Sequence, residues 1–572
     1  MARHLRCSAV RALNLILVMV PAAAPAQQKP AKEPVARVRT EMVLVPVVAR
    51  RDGMHAAGLK QEDFTVLADG KPQTLTVFEE VHAVAPSRSV QAGEFSNQPE
   101  AVAGGGVRAE KLTIIAIDLV NTAPLDQAYL KNEVVKFLDA AAQTGEPFGL
   151  VAITRGGIRV MHDFTTDPRL LAAVVKGQPL VPAAKEAAGG GVLDMTPCAR
   201  SPGGCGGKNN VEAGLRRLQE WNTLMTNQER FEIFRDRSTR IDTLAALQQL
   251  AQALRGLPGR KTLVWASSGI QMLGGMGRMF AGMKDLRGGA TANLATVAEA
   301  LDQNAYTYYL LSLANIAVYP LDARHGSNYS YDNFEPKLSD APLSEAMEAT
   351  RAANKEIIDN FLQIAAVTGG KPCFNRTDLA NCLKEAVEDS KDYYLLGFYP
   401  DTEIRPGWHA ISVKLNGPRA GLQYRNGFLV TALNPERSKL TDLQLAMLSP
   451  LEFTSVPFRV RFEESGGQGG KKTVGFAIDL SPEAVALDAD NHRLLLDIVV
   501  IARGATGKEA ARVAQRIDRE LTPEQESTIR SQGIHYTNRL ELPAGEYGLW
   551  FVVRDGIRGK TGSAVATLDL KK

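Results

Sequence analysis

The sequence is poor in the features that would place it in a specialised class at once. Beyond its N-terminal segment, no apolar run approaches the ~20 residues a membrane-spanning helix requires, so no transmembrane segment is expected in the mature chain. Neither charge dominates: 66 Lys and Arg oppose 63 Asp and Glu, and Arg3, Arg6 and Arg11 alone supply the difference. Phosphate binding needs a concentrated basic surface, so nucleic acid is not expected as a partner. Only five cysteines occur. None forms a CxxC pair or has a His at ligand spacing beside it, which argues against structural zinc. The eight His residues include no HExxH, and the Gly-rich GGMGRM and AGGGV segments do not lead from a strand into a helix with a Lys-Ser/Thr step, so neither a zinc hydrolase nor a phosphate cradle is expected.

What remains is an ordinary globular composition, 45% hydrophobic and 23% charged. At about 150 residues per domain the chain has room for roughly three or four folded units. Residues 1–26 read as a secretory signal. They combine the three arginines with the short apolar core ALNLILVMV and a small-x-small cleavage sequence at Ala24-Pro25-Ala26. The competing reading is a membrane anchor, for which the apolar run is short. The expectation is an exported protein, periplasmic or extracellular. Cys7 would leave with the signal. Cys198, Cys205, Cys373 and Cys382 remain, an even number that permits two local disulfides, Cys198–Cys205 and Cys373–Cys382.

The periodicity then divides the chain. Residues 36–82 alternate apolar and polar positions around an Asp69-Gly70 turn and read as a small all-β unit. Residues 83–108 are rich in Gly, Ser, Pro and Ala, the composition of a flexible linker. From residue 109 the apolar runs become continuous. KLTIIAID, PFGLVAIT, GRKTLVWAS and ANIAVYPLDA each look like strands buried on both faces of a parallel sheet. Between them, LDQAYLKNEVVKFLDAAAQ and TRIDTLAALQQLAQALRGLPG carry apolar residues at helical spacing. This alternation predicts a doubly wound, mainly parallel α/β domain over 109–432, with insertions at about 179–236 and 271–295. KDYYLLGFYP, WHAISVKLNG and LQYRNGFLV are expected to finish that sheet. Residues 450–572 alternate again and predict a β-sandwich, with 505–533 as either a polar strand pair or a surface helix.

GLKQEDFTVLADGKPQ, LTIIAIDLVNT, GRKTLVWASSGI, the TGG after a helix, DYYLLGFYP and YRNGF, in this order, resemble the von Willebrand factor A-related domain family first described from acidobacteria. The likeness covers roughly residues 36–430. It implies a type A fold whose metal-ion-dependent adhesion site lies at the C-terminal edge of the sheet, and a role in binding a protein or an envelope component. In such a site Mg²⁺ takes hard oxygen ligands and leaves one position for a partner's carboxylate. Here DxSxS reads Asp118-Leu119-Val120-Asn121-Thr122. Asp118 and Thr122 are in place, but Val120 offers no oxygen. The later Thr would be Thr239 or Thr243. Ser267-Ser268-Gly269 stands where TDG is expected, leaving Ser268 in place of a carboxylate. One charged ligand predicts at most weak Mg²⁺ binding. The competing reading makes Asp118 a cap for the turn or helix after its strand. Two further functional classes stand beside adhesion: an envelope scaffold whose flanking β units bind, and a hydrolase using Ser268. The second lacks the Gly before the Ser that a nucleophile elbow requires, so no catalytic residue is expected.

Overall fold

The computed structural model describes residues 42–82, 94–97, 112–141, 148–177, 238–269, 303–324, 341–400, 405, 407–417, 419–430, 443–463, 467–468, 471–488 and 492–570. The signal segment, Cys198, Cys205 and both insertions lie outside the described residues. Among the described residues no helix is long and apolar enough to cross a membrane.

Four neighbouring strands carry the continuous apolar runs: β1 (Leu112–Asp118), β2 (Phe148–Thr154), and, after β3 (Gly157–Thr165), β4 (Lys261–Ser267) and β5 (Ile316–Asp322). The sheet order is β5-β4-β1-β2-β3, parallel except for the last pair. Every residue of β1, β4 and β5 is buried, because both faces are covered. One face packs Ile115, Ile117 and Phe148 against α1 (Pro124–Ala141), α2 (Pro168–Gly177) and the helix Leu379–Glu388. In α1 the buried residues include Leu130, Val134, Phe137, Leu138 and Ala141, one stripe at helical spacing. The opposite face packs Ile114, Leu263, Trp265 and Val318 against helices at 238–254 and 303–313 and against Ala341–Thr368.

The chain as a whole nevertheless departs from the expected doubly wound α/β class. Among the described residues strand outweighs helix, 46% to 30%, and four of the five sheets they form contain only antiparallel pairings. The strands expected to finish the parallel sheet do something else. Asp392–Phe398 lies between Val43–Arg51 and Val77–His82, antiparallel to both. Gly407–Leu415 pairs with Phe64–Ala68 and with Gly427–Val430. Residues 43–82 and 392–430 therefore form an N-terminal β layer of two antiparallel sheets that share a core of Val45, Val47, Val66, Leu396, Phe398 and Val413. The physical reason is alternation: Gly407–Leu415 buries only Ile411 and Val413, as a strand with one solvent face must.

The expected linker is likewise not a plain spacer. Glu94–Ser96 adds an antiparallel strand to Phe458–Glu463 in the C-terminal region. There two antiparallel sheets enclose a single core containing Phe458, Phe476, Ile498, Val500, Leu542, Phe551 and Val553. The ambiguous polar stretch supplies both of its alternatives, a strand Glu509–Glu520 and a helix Pro523–Gln532 with a Thr522 capping box. Asn97 anchors the crossing segment. It is 4% exposed, donates to the carbonyls of Phe453 (2.7 Å) and Val456 (3.0 Å), and accepts from the Phe458 amide (2.8 Å). Asn97→Ala removes three hydrogen bonds to buried backbone groups, of which the Phe453 carbonyl still accepts from the Ser563 amide (2.8 Å), and is expected to cost about 2–3 kcal/mol in urea unfolding. An unchanged midpoint would show that this segment is not needed by the C-terminal sheets.

Candidate functional site at the C-terminal rim of the parallel strands

The ends of β1 and β4 bring the sequence-predicted residues together. Asp118 closes β1 and is fully buried. Its Oδ1 accepts from the amides of Val120 (3.0 Å) and Asn121 (3.1 Å). Its Oδ2 accepts from Asn121 Nδ2 (2.8 Å), Ser267 Oγ (2.8 Å) and Trp265 Nε1 (3.3 Å). A carboxylate offers about four lone-pair sites, and five donors occupy them here. Burial pushes the Asp118 carboxyl above the usual range, against the hydrogen bonds from Asn121, Ser267 and Trp265 that favour its charged form.

The hydroxyls are committed in the same way. Thr122 Oγ1 accepts from the Ser268 amide (3.3 Å) and Thr243 Oγ1 from Asn121 Nδ2 (2.9 Å). Thr243 Oγ1 in turn donates to the Thr239 carbonyl (2.9 Å), so Thr239 meets this network through its backbone. Ser268 Oγ donates to Asp126 Oδ2 (3.1 Å), not to a histidine. Asp118 and Thr243 thus meet through Asn121, and Thr122 and Ser268 through a backbone amide, each engaged in a protein hydrogen bond.

This arrangement does not fit a dication. Mg²⁺ would have to displace donors from a fully buried carboxylate whose lone pairs are already taken. Among the described residues no group of three or more His, Cys, Asp or Glu is placed to hold a metal ion. The geometry matches the competing reading: by accepting from the amides two and three residues ahead, Asp118 closes the turn that follows its strand. Sequence reasoning missed the residues that seal it. Ser267, not Ser268, reaches Asp118, and Trp265 and the Asn121 side chain complete the shell. Strand alternation held the signal, since Trp265 and Ser267 fall on one face of β4.

At the end of β5, Asp322 is clamped by Arg324, whose Nε and NH2 groups lie 2.8 Å and 2.6 Å from the two carboxylate oxygens. Cys373 and Cys382 are joined by a disulfide. It ties the segment that pairs beside Leu321 to the helix Leu379–Glu388. Above the sealed network the rim is apolar in part. Leu125, in the first turn of α1, is 85% exposed, and Ile241, in the helical stretch described over 238–254, is 37% exposed.

No family model matches the sequence, and no curated protein matches it. The resemblance to the von Willebrand factor A-related family therefore rests on its motifs alone.

Proposed function

We propose that this protein is a binding protein, not an enzyme, and that a partner protein or envelope component docks without a metal ion on the rim beside Asp118. The observation that carries the reading is the pair of apolar side chains, Leu125 and Ile241, on the two segments that the Asn121–Thr243 hydrogen bond holds together. An apolar side chain as exposed as Leu125 gains little from folding and would gain by burial against another surface. The sealed carboxylate beneath them gives the rim a fixed shape, so a partner would meet a pre-organised surface.

The test places a photo-crosslinking residue at Leu125 and, as a control, at Leu448, which is also exposed (72%). Cells of the producing strain should yield a discrete adduct from position 125, unaffected by EDTA and lost in Leu125→Asp/Ile241→Asp. Equal labelling from both positions would remove the rim from consideration. Loss of the adduct in EDTA would restore a metal-dependent mode.

The scaffold reading, in which the flanking β units bind, has its own support. Met54 (72% exposed), Tyr399 (56%) and Trp408 (44%) lie on the N-terminal β layer. Adducts from Trp408 and none from Leu125 would favour it.

A further inference from the structure

Where the N-terminal β layer meets the parallel sheet, the described residues bury several cations close together. Arg260, just before β4, is 3% exposed and directs its guanidinium to the carbonyls of Asp389 (2.9 Å) and Gly369 (3.0 Å) and to the Tyr319 hydroxyl (2.9 Å). Lys261, 1% exposed, donates from Nζ to the carbonyls of Leu257 (2.6 Å) and Ala314 (2.7 Å). The carboxylate of this cluster, Asp389, is held by Arg50 at 2.6 Å.

Arg425 adds a further buried cation. It sits in the YRNGF segment and is 7% exposed. Among the described residues no hydrogen bond or ion pair reaches its guanidinium, and its buried Nε has no partner. Burial alone pushes this group down to about 10, with no acid close enough to oppose the shift. An arginine does not escape such a position by losing its proton at neutral pH, so the charge itself must be answered. Arg425 lines a small cavity of about 10 Å³ together with Arg260, Ser312, Asn315, Thr368 and Pro46. The Ser312 hydroxyl is buried there and also lacks a partner. Two orphaned donors, one of them charged, thus border a space that holds a single small particle.

We propose that this cavity is an anion site that takes one chloride ion, held by the Arg425 guanidinium and the Ser312 hydroxyl. Its size excludes tetrahedral oxyanions, and its walls explain why an ion is retained. Pro46 belongs to the N-terminal layer and Arg260 to the parallel sheet. Thr368 closes the long helix over β5 by accepting from the Val318 amide (3.0 Å). An ion at their meeting point joins the three parts by offsetting the cation they share.

The full-length chain, unfolded thermally at constant ionic strength while gluconate is replaced by chloride, should gain roughly 1–3 °C for each tenfold rise in free chloride beyond half-saturation. Bromide should act like chloride. In Arg425→Met, which keeps the bulk and removes the charge, the curves in chloride and gluconate should coincide. A crystal grown in bromide should show an anomalous peak beside the Arg425 guanidinium, a result that stands even if the variant does not fold. Identical wild-type midpoints in chloride and gluconate would overturn the proposal. So would an undiminished chloride response in Arg425→Met, or a water without anomalous signal in the cavity.

Discussion

Asp118→Ala is expected to lower the free energy of unfolding by about 3–5 kcal/mol, read as a fall in the urea midpoint. The substitution removes an acceptor that five donors share and leaves the Ser267 hydroxyl and the Trp265 indole without their acceptor in a dry interior. A metal ligand would behave differently, since its loss spares apo stability and abolishes a Mg²⁺-induced shift. Here neither wild type nor variant should respond to millimolar Mg²⁺. Asp118 also sets a pH dependence. Burial raises its folded-state value above that of an unfolded Asp, about 3.9. The folded state therefore holds this proton more tightly than the unfolded one. The associated stability is fully present below about pH 4 and is lost as pH rises through the elevated folded value. Asp118→Asn should flatten that part of the stability curve. A Mg²⁺ stabilisation in wild type that vanishes in Asp118→Ala, with an unchanged urea midpoint, would refute this account.

How much of this was legible in the sequence depends on which signal each segment carries. The four continuous apolar runs predicted strands covered on both faces, and β1, β4 and β5 are buried along their whole length. The stripe in α1 was equally plain, since Leu130, Val134, Phe137 and Leu138 all face the sheet. Composition carried no information about partners across long separations. Tyr394 pairs with Val47 on one side and Glu80 on the other, more than 300 residues away, and nothing local marks such a match. Asn97 was lost for a related reason. It lies in a Gly- and Ser-rich stretch that reads as spacer, and its value comes from carbonyls supplied by another sheet. At the rim the motif drew attention to Asp118, Thr122, Thr243 and Ser268, and the structure does bring these together. The motif could not show that Ser267 and Trp265 fill the lone pairs a metal would need, because burial and hydrogen-bond direction are not written in spacing. Arg425 was visible only as part of YRNGF, and its lack of a counter-charge emerges from the packing around it.

Gly370→Ala is expected to be among the most damaging single substitutions in the chain, costing more than about 3 kcal/mol or preventing accumulation of folded protein. The helix Ala341–Thr368 ends with Gly369 at φ +79° and the Gly370 amide bonded back to the Ala365 carbonyl (2.9 Å), the pattern of a Schellman cap. The turn brings the backbone against β5, where a Cβ on Gly370 would stand 1.8 Å from the Val318 carbonyl oxygen and 2.6 Å from its carbon. Both are main-chain atoms of a strand hydrogen-bonded to its neighbour. Relief therefore requires the helix to lift from the sheet. That movement would part Thr368 from the Val318 amide and open the cavity beside Arg425. Gly177, at the end of α2, meets nothing within 4 Å where its Cβ would lie, and Gly177→Ala should stay within about 0.5 kcal/mol of wild type. If thermal unfolding of the two variants gave similar midpoints, the close approach of helix and strand would not be the reason for the TGG sequence.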